Sequence, residues 1–517
     1  MHKLTRCSVL GLFALSLVAQ GFAQPPARVR KVVLIAGTKS HGPGEHEYLK
    51  TVKLLKVLLD RAPNLRNFRT EVYFNGWPDD PRTLETADTI VVISDGQDHD
   101  ESQRVPIYTP ERMKIVERAM NRGCGFVTFH FSTFISYPYA DRVLEWNGGY
   151  YEWDDAYGPV SAIKTLDTDV QLGSPEHPVL NGVSPMHLKD EYYYRMRFRK
   201  DDPRLKPILL VPALASGASE QTVAWAVQRK NGGRGFGNTT GHYYENWRND
   251  SYRKLMLNAI VWTAGGVVPK SGVESTFAGD DEVNRVLMKN PVPALIVTGD
   301  SDPNHAWRET TPALAAALNS EDPRFRIDVE DDVEKLAGAD LSRYRLIVWN
   351  YVNWSRAVVS EAARRNLAAY IRNGGGFAVI HFADAAFGPD LPGGTAAEWP
   401  EFRRICPRVW DESRSTHDAY GPFFVTVTDP THPAAFRIAG YEAKDELYGR
   451  QQGDAPVHIV ATARSKATGK DELVAFVHEY GRGRVFQTVL GHDAAAIRVP
   501  GTTRLIRYGS LWASGAR

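Results

Sequence analysis

The sequence predicts an α/β protein of two tandem domains, each a mostly parallel sheet covered by helices on both faces. Three observations lead there. The chain has 517 residues, more than one ordinary core organises. A set of motifs appears twice in the same order. Within each half, apolar β-branched runs alternate with amphipathic segments, the pattern of βαβ units.

The repeat is explicit. Asp155-Ala156-Tyr157-Gly158-Pro159 returns letter for letter as Asp418-Ala419-Tyr420-Gly421-Pro422. Gly123-Cys124-Gly125-Phe126…His130-Phe131 is echoed by Gly374-Gly375-Gly376-Phe377…His381-Phe382, and His177-Pro178 by His432-Pro433. Asp190-Glu191-Tyr192-Tyr193 is echoed by Asp445-Glu446-Leu447-Tyr448, and Gly235-Phe236…Gly241-His242 by Val485-Phe486…Gly491-His492. Chance does not order so many matches; a domain has been duplicated. The stretch from Pro269 to Asn290 carries Pro, Gly, Ser and mixed charge and suits a linker, placed at 271–290 between domains at 24–270 and 291–517.

The elements follow in order. Each half opens on a buried strand, Val32–Ala36 and Ala294–Val297, then a polar loop and a helix over Tyr48–Leu59 or Pro312–Leu318. Strands are expected at Thr70–Phe74 and Arg326–Val329, then at Thr89–Ile93 and Leu346–Trp349. Helices over Glu111–Met120 and Glu361–Ile371 lead into Gly-led strands that end at His130 and His381. Later strands pass Phe236 and Arg484–Leu490 and end at His242 and His492. Ligands of parallel sheets sit at the strands' carboxyl ends, which is where these histidines fall.

Lys plus Arg (62) nearly cancels Asp plus Glu (61), so no global field favours nucleic acid or anionic lipid. Residues 1–23 read as an export signal. His2, Lys3 and Arg6 precede an apolar run from Val9 to Ala19, and Gly21-Phe22-Ala23 offers a cleavage site. The run is too short to span a bilayer, and no later segment has that length. Cleavage implies a secreted or periplasmic protein; an uncleaved anchor is the competing reading. Only Cys124 and Cys406 would then remain, at non-equivalent positions, so stability must come from packed cores.

Four groups of residues could carry chemistry. The loop Ser40-His41-Gly42-Pro43-Gly44-Glu45-His46-Glu47 joins two His to two Glu at a helix entrance, but lacks the Lys-Ser/Thr ending of a phosphate loop. No nucleotide cofactor is expected. A solvated helix start is the plain alternative. The second half reads Asp300-Ser301-Asp302-Pro303-Asn304-His305 here and keeps one His. His130 and His381 end strands, where a half-buried structural His is equally ordinary. Asp190-Glu191 and Asp445-Glu446 lie among tyrosines, a setting that tunes a carboxyl for acid–base work and stacks on sugar rings. Gly241-His242 is followed by Tyr243, Tyr244 and Trp247, whereas Ala494-Ala495-Ala496 follow His492 and leave that half looking stripped.

These residues resemble a known family. Ser40 to Glu47, Asn75-Gly76-Trp77-Pro78, Ser94-Asp95-Gly96, Asp190 to Tyr193 and Gly233-Arg234-Gly235-Phe236-Gly237…Gly241-His242 together look like a trehalose-utilisation (ThuA-like) domain. The second half is similar to the broader family through Gly374 to His381, His432-Pro433, Asp445 to Tyr448 and Gly483 to His492. The resemblance implies two flavodoxin-like, class I glutamine amidotransferase-like three-layer domains. It also implies a saccharide partner and a functional link to a sugar dehydrogenase that makes 3-keto-sugars. Glutaminase chemistry is not expected, because the strand ends bear His130 and His381 where an amidotransferase needs Cys.

On this reading His46, His130, Glu191 and His242 are the catalytic candidates. His41, Glu47, Asp190, Tyr192, Tyr243 and Trp247, with His381, Glu446 and His492 of the second half, are the substrate-binding ones. The activity expected is acid–base cleavage of glycosides or 3-keto-glycosides. A divalent metal is compatible with the His and carboxylate set, though no tight ligand spacing marks one. A non-catalytic carbohydrate-binding or scaffold protein is the competing class.

Overall fold

A computed structural model describes residues 28–38, 40–74, 76–78, 80–97, 107–154, 160–214 and 221–516. The expected export segment 1–23, Asn75 and the Asp155–Pro159 copy of the repeated pentapeptide lie outside them.

The fold is α/β and duplicated. One nine-stranded sheet runs, edge to edge, Phe68–Tyr73, Arg30–Ala36, Thr89–Ile93, Gly125–Phe129, Arg234–Asn238, Thr222–Gln228, Leu205–Leu210, Ala162–Leu172, Met186–Tyr194. The other runs Phe325–Glu330, Val292–Val297, Leu346–Trp349, Gly376–Ile380, Gly483–Thr488, Asp471–Tyr480, His458–Arg464, Gly421–Val427, Tyr441–Asp445. The strand order is the same in both. In each, the first five strands are parallel and the remaining four extend the sheet antiparallel.

Period-two alternation explains why the first strands are apolar throughout. Val32, Leu34 and Ala36 enter the core formed with helices Tyr48–Arg61 and Asp250–Thr263. Val33 and Ile35 enter a separate core under helix Pro110–Asn121. Both faces are covered, so neither set can be polar. Ala294 and Ile296 against Leu295 and Val297 repeat the division in the second domain. Helix Trp307–Leu318 begins five residues before Pro312, which lies inside it, so the helix forgoes one backbone donor at that position.

The stretch 271–290 connects the halves and is itself ordered. Val273, Ala278 and Val283 pack into the first core, and Asp280–Leu287 is helical with Asp280, Asp281 and Glu282 in its first turn. Cys124 and Cys406 are both buried and free. Among the described residues no helix is long and apolar enough to cross a membrane.

In a flat sheet, the four steps from Arg234–Asn238 to the edge strand Met186–Tyr194 would span about 19 Å. Yet Asp190, on that edge strand, accepts hydrogen bonds from the N–H groups of Gly241 and His242. The antiparallel extension therefore curls back, bringing an edge-strand carboxylate to the ends of the parallel strands.

Candidate functional site

Three loops deliver three imidazoles to one point in the first domain. His46 lies between strand Arg30–Ala36 and helix Tyr48–Arg61, with φ +44°. His130 ends Gly125–Phe129 with φ +50°, which turns its ring out of strand register and over the sheet end. His242 follows Arg234–Asn238, and its loop is zipped to that of His46 by His46 N–H to His242 O and Tyr244 N–H to Gly44 O. All three rings are buried.

His46 Nε2 stands 3.1 Å from His130 Nε2 and 3.0 Å from His242 Nδ1, and the latter two are 3.3 Å apart. Glu191 Oε2 completes the group at 3.6 Å from His130 Nε2 and 3.4 Å from His242 Nδ1. Strand alternation places Tyr193 beside Glu191, its hydroxyl 2.9 Å from His130 Nε2.

The partners at the back of the rings fix the tautomers. His130 Nδ1 is 2.7 Å from Thr239 O, a carbonyl that can only accept, so Nδ1 carries the proton and Nε2 is bare. Tyr48 spends its one O–H on Asp95 Oδ1 at 2.6 Å, so its oxygen accepts from His46 Nδ1 at 2.8 Å. His46 Nε2 is bare as well. On the other side of His242, Nε2 faces Glu45 Oε1 at 3.7 Å.

Burial, reinforced by His46, holds the His130 imidazolium well below the ordinary range. Burial also lowers His242, but Glu191, Asp190 and Glu45 outweigh it and the net shift is upward. Glu191 is raised by burial and lowered further by His242. Burial drives Asp190 up to about 7 against the pull of the Gly241, Glu191 and His242 N–H groups.

The second domain rebuilds the group. His305 Nε2 lies 3.1 Å from His381 Nε2 and 3.2 Å from His492 Nδ1, with Glu446 Oε2 3.4 Å from His492 Nδ1 and Tyr448 Oη 2.9 Å from His381 Nε2. His381 Nδ1 donates to Val489 O at 2.6 Å, and His305 Nδ1 to Asp302 Oδ2 at 2.5 Å. The apparently stripped half thus keeps three imidazoles and a carboxylate. A cavity of about 690 Å³ opens beside His305, lined among others by Asp300, Asp302, Trp307, Tyr351 and Arg356. Both sets, His46/His130/Glu191/His242 and His305/His381/Glu446/His492, could hold a metal ion; so could His41, His46 and Asp95.

Of the other candidates, His41 is exposed and lies against His46, ring centroids 3.6 Å apart. Tyr243 meets the His242 ring edge-on at 4.6 Å. Glu47 accepts from Gly44 N–H at 2.9 Å and shapes the loop instead of joining the cluster. Three expectations need correcting. Asp190 is fully buried and its carboxylate is taken up by the Gly241 and His242 N–H groups, so it holds the loop and does not face a ligand. Tyr192 is fully buried, with its hydroxyl on Leu188 O, because alternation turns it away from Glu191. Trp247 is buried against Phe129, because the 3-10 turn Tyr244–Arg248 sends it inward. The latter two are core residues.

Sequence reading left His305 unassigned and did not single out Asp95, Tyr48, Tyr193, Tyr448 or Asp302. The tyrosines had a usable signal, recurring two residues after Glu191 and Glu446. Cys124 is not an activated nucleophile: it lies just before strand Gly125–Phe129, and burial pushes its thiol up to about 12.

A family model described as ThuA, trehalose utilisation, matches residues 32–263 and again 293–513. The chain belongs to the ThuA family. Each ThuA domain carries one of the two clusters. A putative ThuA-like protein of Parabacteroides merdae is 27% identical, over 44% of this chain and 91% of that one, with a TM-score of 0.38. One from Bacteroides uniformis is 20% identical, over 44% and 92%, with a TM-score of 0.33. A β-galactosidase of Bacillus circulans is 13% identical, over 54% and 43%, with a TM-score of 0.32. No curated protein matches the chain.

Proposed function

We propose that this ThuA protein is an exported carbohydrate-active enzyme that cleaves glycosides or 3-keto-glycosides by acid–base chemistry at its His/Glu clusters. The observation that carries the reading is the convergence of His46, His130, His242 and Glu191 on one point, repeated in the second domain beside a cavity of about 690 Å³. That volume lies in the range of small-molecule sites, and Trp307 offers an aromatic face. Export rests on the basic start and apolar run of residues 1–23.

A keto group at C3 acidifies the C2–H bond. In the first domain Glu191 takes that proton on the oxygen turned away from the imidazoles. The C1–O bond breaks as its electrons leave with the glycosidic oxygen, and His242 Nε2–H protonates the departing alcohol. One proton is gained by Glu191 and one lost by His242, and addition of water to the enone completes a net hydrolysis. Glu446 and His492 hold the same positions in the second domain. A divalent cation bound at the cluster would supply Lewis-acid stabilisation of the negative charge that develops. A dehydrogenase acting on the same saccharide would supply the keto group.

The test is turnover of 3-keto-trehalose and the parent disaccharide by full-length protein, wild type against Glu191→Gln, Glu446→Gln and the double variant. The double variant should lose at least a hundredfold in kcat. Saccharide binding without turnover in the wild type would favour the carbohydrate-binding alternative, and full activity in the double variant would remove these residues from the chemistry.

A further inference from the structure

We infer that each ThuA domain is a metal centre, so that one chain binds two first-row divalent transition-metal ions. The first would be held by His46 Nε2, His130 Nε2, His242 Nδ1 and Glu191 Oε2. The second would be held by His305 Nε2, His381 Nε2, His492 Nδ1 and Glu446 Oε2. The inference names what the proposed reaction site holds, but it stands on geometry alone and survives if the saccharide reading fails.

Its foundation is the pairing of bare nitrogens. His46 Nε2 and His130 Nε2 both lack a proton, since their Nδ1 atoms donate to Tyr48 Oη and Thr239 O, yet they face each other at 3.1 Å. His305 and His381 do the same at 3.1 Å, with Asp302 and Val489 O behind them. Two lone pairs at that separation repel unless a cation lies between their axes.

The spacing fits one. An ion with bonds of about 2.1 Å to nitrogen separates its imidazole nitrogens by about 3.0–3.4 Å in octahedral or tetrahedral geometry. The observed separations are 3.0, 3.1 and 3.3 Å in the first domain and 3.1 and 3.2 Å in the second. Carbonyls behind His130 and His381 and a carboxylate behind His305 are partners of the kind that orient metal-bound imidazoles, and behind His46 the Tyr48 hydroxyl, itself bonded to Asp95, does the same. Three nitrogens with one carboxylate select zinc, cobalt, nickel or iron over magnesium and calcium, which require oxygen donors.

The competing arrangement is metal-free. The Tyr193 hydroxyl would donate to His130 Nε2 and a protonated His242 Nδ1 to His46 Nε2, both within reach at 2.9 and 3.0 Å. Metal counting separates the two. Full-length protein stripped with a chelator and dialysed against micromolar zinc should retain two ions per chain by elemental analysis. His46→Ala and His305→Ala should each retain one, and the double variant none. Cobalt(II) loading should give visible absorption of four- or five-coordinate nitrogen–oxygen sites, halved in each single variant. Glu191→Gln, the milder change, should weaken one of the two sites at least tenfold. Circular dichroism verifies folding of each variant, and the wild-type count needs no variant at all. A wild-type chain that retains no zinc, or a folded double variant that still retains two, overturns the inference. Neither readout involves a sugar.

Discussion

Asp190 holds His242 by the backbone, not by the ring. Its carboxylate accepts the His242 N–H at 3.0 Å, the Gly241 N–H at 2.7 Å and Asn246 Nδ2 at 2.9 Å, as well as the N–H of its own neighbour Glu191 at 2.8 Å. Asp445 repeats this with Gly491 at 2.7 Å, His492 at 3.2 Å and Glu446 at 2.9 Å. One buried carboxylate therefore fixes the acidic member of each cluster and the histidine opposite it. Asp190 is a positioning residue.

Replacing it with Asn leaves one oxygen and turns an amide N–H₂ toward backbone donors. Asp190→Asn should cost about 1–3 kcal/mol of stability for the unsatisfied N–H and lower kcat at least tenfold, with KM little changed. Urea unfolding and steady-state kinetics read the two effects. Unchanged kcat in a destabilised protein would mean the carboxylate serves folding alone.

Gly241 provides a second check on the same loop. Its φ is +109°, and a Cβ there would fall 2.4 Å from Phe129 Cε1, a ring stacked in the core. Gly44, also left-handed at +86°, has open space around it. Gly44→Ala should cost about 1 kcal/mol of backbone strain, and Gly241→Ala about 1–3 kcal/mol more from overpacking. Paired urea melts decide it, and equal midpoints would contradict the packing argument.

The parallel half of each sheet was legible because burial on both faces leaves no freedom in its residues. Thr89–Ile93 and Leu346–Trp349 were bounded as observed. The antiparallel extension was not legible: strand Ala162–Leu172 has mostly exposed or half-buried side chains, so its lysine and aspartates give no apolar rhythm. At the site, motif reading found the histidines but not which way their neighbours point. A single step along the edge strand separates Tyr192 in the core from Tyr193 on His130, and a strand assignment for Met186–Tyr194 would have settled it. His305 carries a weak sequence signal because its loop lacks the Glu pair of the first domain; Asp302, three residues earlier, supplies the carboxylate from the other side.

Trp307 occupies in the second domain the place that Tyr48 holds in the first, directly after the loop of the cluster histidine. Lining the cavity beside His305, it should stack on a sugar ring. Trp307→Ala should raise the saccharide Kd of that domain about tenfold, roughly 1.4 kcal/mol, while leaving the first domain's affinity unchanged. Calorimetry with the first site disabled by His242→Ala isolates it, and an unchanged Kd would place the sugar elsewhere.

Lys53 offers a test of how the two domains are held together. It is buried on helix Tyr48–Arg61 and donates to Asn284 Oδ1 at 3.2 Å and, across to the second domain, to Asn319 O at 3.1 Å. Burial, helped by Arg507 and Lys50 and opposed by Asp280 and Glu321, lowers its ammonium from an ordinary 10.5 to about 8. Between those values the unfolded chain binds more protons at this site than the folded one, so folding becomes more favourable as pH rises from 8 toward 10.5. Below pH 8 both states are charged and the full penalty, roughly 3 kcal/mol, is present and constant. Lys53→Met removes this titration. The stability difference, wild type minus variant, should therefore be flat below pH 8 and shift in favour of the wild type at pH 9 and 9.5. Urea unfolding of both proteins across that series measures it, and a difference independent of pH would show that Lys53 stays charged by drawing water into the junction.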